Sequence, residues 1–310
     1  YELRYAIFIV IFGIILVLYL IQMLNEDAKD KLNLSQNVIE NVVTQKVDKT
    51  SQTIIKGDNV SSDKQQANIK VIETFLEYCN SKEIQKAYAL LTDECKKEVF
   101  AGNIAYFQKN YVDKIFDVKK MYSVQAWMNT YAYTYKVRIV DDMLSTGKVT
   151  DSSNVVEDYF TIVESQDGYR LNINSFIMQQ KLDRQASLNG ITVTVLNKNI
   201  YKEYEEYEIK IENATDKTIL LDSQEKTDSM YLVGSNENNY DAFSFEIDVN
   251  EIIVQPGKAK TFDITFNKIY SNQVVMEQMV FEDVITDYEI YKQLTDKSQY
   301  VNREKIVIEI

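Results

Sequence analysis

Between Arg4 and Glu26 the chain carries no charge, and Tyr5 to Met23 is apolar at nearly every position. At about 1.5 Å per residue that run reaches roughly 29 Å, close to the hydrocarbon thickness of a bilayer, and it has no polar face for a soluble helix to turn outward. The pattern predicts a transmembrane helix within residues 1–24. Gln22, Met23, Leu24 and Asn25 follow where a cleaved leader would show small residues, so the segment reads as an uncleaved signal anchor. Arg4 precedes it, while Glu26, Asp27 and Asp30 follow it. The positive-inside rule then puts the N-terminus in the cytoplasm and the bulk of the chain on the extracytoplasmic side of the cell membrane.

Residues 25–66 are polar, with only short apolar patches such as Val38, Ile39, Val42 and Val43, and read as a tether or stalk. Strong periodicity follows. Ile72, Phe75, Leu76 and Cys79 make one helical face, and Ile84, Ala87, Tyr88 and Leu91 make a second after a break at Asn80 and Ser81. Thr92 is placed to cap a third helix carrying Cys95 and Val99, and Ile104, Phe107, Tyr111 and Ile115 stripe a fourth. From Lys119 the period changes to two: Tyr131, Tyr133, Tyr135, Val137 and Ile139 alternate with Ala132, Thr134, Lys136 and Arg138. Two further runs flank Gln166, Asp167 and Gly168, a hairpin signal. Helices followed by antiparallel strands predict an α+β domain over residues 67–180.

A joint is expected near Gln179 to Ser187, followed by an all-β unit over 188–310. There Ile191, Val193 and Val195 alternate with polar residues, as do Tyr207, Ile209 and Ile211, and Pro256-Gly257 supplies a turn before Ala259 to Phe266. Short strands with close turns predict a β-sandwich. The stretch from Asp287 to Gln299 fits neither pattern.

Composition narrows the chemistry. The 310 residues include 22 Tyr and 13 Phe, enough to build real cores, but no His. That absence removes Ser-His-Asp and Cys-His nucleophiles and His-based zinc sites. The net charge of -13 is local. From Leu188 onward 23 acidic and 12 basic side chains differ by -11, whereas the rest is nearly balanced. Such a surface keeps an exported domain soluble and gives no pull toward nucleic acid. No cofactor is implied.

Cys79 and Cys95 lie 95 minus 79, or 16, residues apart on neighbouring apolar faces. An oxidising compartment would allow a disulfide worth about 3 kcal/mol; the alternative is two buried free thiols. Two cysteines alone make no zinc site. Glu203, Glu205, Glu206 and Glu208 lack the Asp/Asn loop and Gly of a calcium site, and strand alternation turns Glu205 away from Glu206 and Glu208. They read as a solvated strand face, and no metal site is expected.

The run FLEYCNSKEIQKAYALLTDECKKEVF, the segment FQKNYVDKIF and the hairpin ESQDGYRLNINSF resemble the cone-shaped nuclear transport factor 2 superfamily, in versions found on anchored surface proteins of Gram-positive bacteria. YEIKIENATDKTILL and IIVQPGKAKTFDITF resemble bacterial immunoglobulin-like modules, although the Cys...Trp...Cys pattern of antibody domains is absent. The first resemblance implies a curved sheet with a pocket, which Tyr131, Tyr133 and Tyr135 would line. With Asp141 or Asp142 those tyrosines have the residue types of an acid-base site, but as strand positions they read more simply as packing, and an enzyme is not expected.

Anchor, tether and cone domain together resemble assembly components of type IV secretion and conjugation machines, which often carry a second cone domain where this chain shows a sandwich. The function expected is a membrane-anchored interaction or assembly component of the cell envelope, with other envelope proteins as partners and homo-oligomerisation as a further option. The alternative is a small-ligand-binding surface protein that uses the cone's pocket. An exposed apolar patch would favour the first, and a closed polar pocket the second.

Overall fold

The computed structural model describes residues 62–128, 132–142, 155–165, 168–271 and 273–310. The expected anchor and nearly all of the tether lie outside these residues. Among the described residues no helix is long and apolar enough to cross a membrane.

Helix α1 (Ser62–Asn80) starts inside the stretch expected to be tether, and buries Ile72, Phe75, Leu76 and Cys79 completely. Lys82 takes a left-handed φ of 57° and turns the chain into α2 (Ile84–Ala89). Thr92 caps α3 (Asp93–Phe100) by accepting a bond from the Cys95 amide at 3.0 Å. Asn103 caps α4 (Ile104–Phe107), which continues through a π-helical turn at Gln108–Val112 into α5 (Asp113–Ile115). The Phe107 and Tyr111 rings stack there at 5.8 Å.

Four strands follow: β1 (Lys120–Met128), β2 (Tyr133–Asp141), β3 (Val156–Ser165) and β4 (Gly168–Asn172), paired antiparallel in that order. Strand alternation decides which residues meet the helices. Tyr135, Val137 and Ile139 of β2 and Phe160 and Ile162 of β3 join Phe75, Phe107 and Tyr111 in the first core.

The chain then makes the long strand β5 (Phe176–Leu188), and its remaining strands build a second core. They are β6 (Ile191–Tyr201), β7 (Glu205–Asn213), β8 (Ile219–Leu220), β9 (Met230–Gly234), β10 (Asn239–Asp241), β11 (Ile253–Val254), β12 (Lys258–Phe266), β13 (Met276–Ile285) and β14 (Arg303–Glu309). One sheet has the order β12-β7-β6-β5; the other runs β10-β9-β13-β8-β11, with β14 also on β13. Val193, Tyr207, Ile209 and Ile264 from the first face Leu232, Met279, Phe281 and Ile306 from the second across a shared core. Short helices α6 (Val249–Ile252) and α7 (Tyr288–Gln293) lie in the connections. Helix α7 and a 3₁₀ turn at Lys297–Gln299 account for the stretch from Asp287 to Gln299.

The expected fold class is therefore corrected. The described residues are mostly antiparallel sheet, and a separate cone-shaped α+β domain followed by an immunoglobulin-like sandwich is not evident. The cause is β5. Its first residue, Phe176, is buried in the first core, and the same strand then pairs with β6 over the span expected to be a joint. Residues 62–310 fall within one compact unit.

Asp158 holds the entry to β5. It is buried on β3, where one carboxylate oxygen accepts from the Tyr111 hydroxyl and the Asn174 amide, each at 3.0 Å, and the other accepts from the Ser175 amide at 2.8 Å. Asn174 and Ser175 both have left-handed backbone, at φ 57° and 60°, which Asn tolerates and Ser rarely adopts, so the carboxylate secures a turn of two successive such residues. Burial pushes the Asp158 carboxyl up, and the surrounding amides and hydroxyl oppose that rise. Asp158→Ala removes the acceptor of three amides, Tyr159, Asn174 and Ser175, and of the Tyr111 hydroxyl, and is expected to cost about 3 kcal/mol in chemical denaturation, whereas Glu157→Ala on the exposed side of the same strand should cost under about 0.5 kcal/mol.

In the second core Asp222 is fully buried, and its Oδ1 meets no donor. Its Oδ2 accepts from the Gln224 amide at 2.9 Å. Burial raises its pKa from 3.8 to about 6, with Asp283 adding to the rise and Arg303 opposing it. A carboxyl whose folded pKa is raised favours folding in its protonated form, so its ionisation costs stability as pH climbs from about 4 through 6. Asp222→Asn is expected to unfold about 1–3 kcal/mol later than the unaltered protein at pH 7.5, a gap that closes by about pH 4.

Candidate functional site

The residues weighed from the sequence are not brought together as a site. Tyr131 lies outside the described residues. Tyr135 is packed in the first core with its hydroxyl accepting from Asn68 Nδ2 at 3.0 Å, and Tyr133 is half-buried under the Lys64 ammonium, 4.5 Å from the ring centroid. The core behind them is filled by Phe75 and Phe160, whose rings meet edge to face at 5.5 Å. Asp141 sits at the other end of β2 from Tyr133, roughly 25 Å away along an extended strand, and pairs with Lys120 at 2.5 Å. Asp142 lies 3.7 Å from Lys119. Neither Tyr133 nor Tyr135 therefore lies beside Asp141. A groove of about 480 Å³ lies elsewhere, on the helical layer, between Lys82, Glu83 and Lys86 on one side and Ile104 and Gln108 on the other.

Cys79 and Cys95 are buried free thiols in the first core. Burial pushes both thiols up, Cys95 to about 12, so neither is a reactive thiolate near neutral pH.

The glutamates at the start of β7 divide as alternation requires, but only in part as a solvated face. Glu205 is buried, accepts from the Tyr207 hydroxyl at 2.8 Å, and lies 3.5 Å from Lys198 and 3.6 Å from the buried Lys268. On the other face Asn199 Nδ2 donates to Glu206 and to Glu98 of α3. Burial raises the Glu206 and Asp263 carboxyls, and neighbouring carboxylates add to both shifts. Among the described residues no group of three His, Cys, Asp or Glu side chains is placed to hold a metal ion.

A different surface combines exposure, aromatic area and charge: the face of the first sheet turned away from the helices. Part of it is closed. Thr134 and Thr161 are buried there and share a 2.9 Å hydrogen bond, and Ile177 and Ile200 form a small apolar cluster with Ala132 beside them. Beyond that cover Lys136, Arg138 and Tyr159 are partly exposed. Strand alternation puts Trp127 on the same face, where the indole meets the Tyr159 ring edge to face at 4.9 Å and the Tyr270 ring at 6.3 Å. Tyr270 arrives from the loop after β12, anchored by its amide on the Lys202 carbonyl at 2.9 Å. Ile269, the residue before it in the chain, is 62% exposed.

Cations frame these rings. The Lys202 ammonium lies 4.4 Å from the Tyr159 centroid. Lys136 is directly opposite Tyr159 in the β2–β3 register, and Arg138, two residues on, shares its face. Lys136 pairs with Glu157 at 2.8 Å and Lys202 with Glu203. Arg138 Nε is buried without any hydrogen-bond acceptor.

Sequence reasoning passed over Trp127, Lys202 and Tyr270. The alternation that put Tyr133 and Tyr135 on one face of β2 already put Lys136 and Arg138 on the other, but nothing in the spacing shows that a loop more than a hundred residues later brings Tyr270 beside Trp127. Searches against family models, curated proteins and solved structures return no significant match, so neither family resemblance drawn from the sequence is supported by a relative.

Proposed function

We propose that this chain is a non-catalytic protein-interaction component of the cell envelope, and that it meets its partner through the open face of the first sheet. The observation that carries this reading is the half-buried Trp127–Tyr159–Tyr270 cluster. Aromatic residues with long cations at their margin are the composition of binding hot spots, because they bury much area at small conformational cost.

Binding rather than catalysis is supported by how these buried carboxylates are used. Asp158 closes a turn, Asp283 is held by Arg303 at 2.5 Å, and Glu205 is shared by Tyr207 and two lysines. Each is engaged inside the fold. Placement at a membrane rests on the apolar run of residues 5–23, outside the described residues.

A photo-crosslinking residue placed at Tyr159 in intact cells is expected to give discrete adducts with other envelope proteins, and the same residue at Lys109 on the helical layer is expected to give none. Equal adduct patterns from both positions, or adducts from Lys109 alone, would move the interaction away from this face.

A further inference from the structure

The open face has a charge pattern as well as an apolar one, and the pattern narrows the partner. Two of its three cations are matched within the chain, Lys136 by Glu157 and Lys202 by Glu203. Arg138 forms no ion pair among the described residues, and its Nε is closed off from water with no acceptor. Its two terminal guanidinium nitrogens are not enclosed and make no hydrogen bond among the described residues, so they are the atoms an incoming acceptor can reach. Around the aromatic cluster, Lys136, Arg138 and Lys202 against Glu157 and Glu203 leave one cation in excess among the described residues, on a chain whose net charge is -13. Glu157 lies directly across the β2–β3 register from Arg138 and Glu203 pairs with Lys202, which penalises a polyphosphate laid across the sheet more than a single carboxylate. Next to Arg138 along the same face come Lys136 and Tyr159, and then Trp127.

We propose that this face docks a short acidic protein segment, with an apolar side chain seated on Trp127, Tyr159 and Tyr270 and a carboxylate received by Arg138. The proposal rests on the protein-interaction reading above and adds the chemistry of the partner. A guanidinium fork and a carboxylate match in plane and spacing, so this contact supplies orientation, while the aromatic cluster supplies buried area.

Trp127 is the only tryptophan in the chain, so indole fluorescence reports on this face alone. The test titrates the full chain, in non-ionic detergent, with a synthetic peptide of four glutamates around one phenylalanine, with the same peptide carrying lysines instead, and with a single-stranded oligonucleotide. The acidic peptide is expected to change Trp127 emission saturably and to bind about tenfold more tightly than the lysine peptide. Arg138→Gln is expected to weaken it about fivefold or more without shifting the thermal midpoint, and Lys136→Glu serves as a second variant with the same expected direction.

Equal binding of the acidic and lysine peptides, unchanged affinity in both variants, or tighter binding of the oligonucleotide would each overturn the proposal. Crosslinking at Tyr159 separates the two levels. Adducts there without acidic-peptide binding would leave the interaction reading standing and remove only the partner chemistry.

Discussion

A carboxylate sealed in an aromatic core is expensive unless donors surround it, and Asp158 is surrounded by Tyr111, Asn174 and Ser175. Those three donors come from different parts of the fold. Tyr111 belongs to the helical layer, Asp158 to the sheet beneath it, and Asn174 and Ser175 to the turn that starts β5. One buried group thus fixes the helices on the sheet and sets the direction in which the chain leaves it. Because β5 departs at that angle, Phe176 stays in the first core while later residues of the strand pair with β6, and the two cores share one continuous strand.

The same departure explains why one face of the first sheet is left uncovered. Ile177 and Ile200, where β5 and β6 begin and end, form with Ala132 a small cluster against which Trp127 and Tyr270 pack. The rows through Lys136 and Arg138 remain outside that cluster, and the Tyr270 loop borders them. The open face is a consequence of how the second core is attached, which links the functional proposal to the clamp at Asp158.

Much of the local structure was legible in the sequence. The apolar stripes Ile72–Phe75–Leu76–Cys79 and Val193–Val195 each end up buried, and Thr92 caps the helix it was expected to cap. The reading failed where contacts are long in sequence. The span 179–187 was taken for a joint because its polar residues break the apolar pattern, yet Asn189 and Gly190, at φ 51° and 85°, form the tight turn that joins two strands. That Asn-Gly pair was a visible signal that the preceding residues are strand. Exposure in β5 follows from its place at a sheet edge, not from a linker. Lys268 shows the other limit, since no pattern around it announces a lysine buried against Glu205 and beneath the Tyr240 ring.

The central claim is that Asp158 and the strand it launches make the two cores one cooperative body. Native-state hydrogen exchange measures this directly by comparing the amides of β2 and β3 with those of β6 and β7. The account predicts opening free energies that agree within about 1 kcal/mol across the two groups in the unaltered chain and separate in Asp158→Ala. Strands β6 and β7 opening independently in the unaltered chain, while β2 and β3 stay protected, would contradict it.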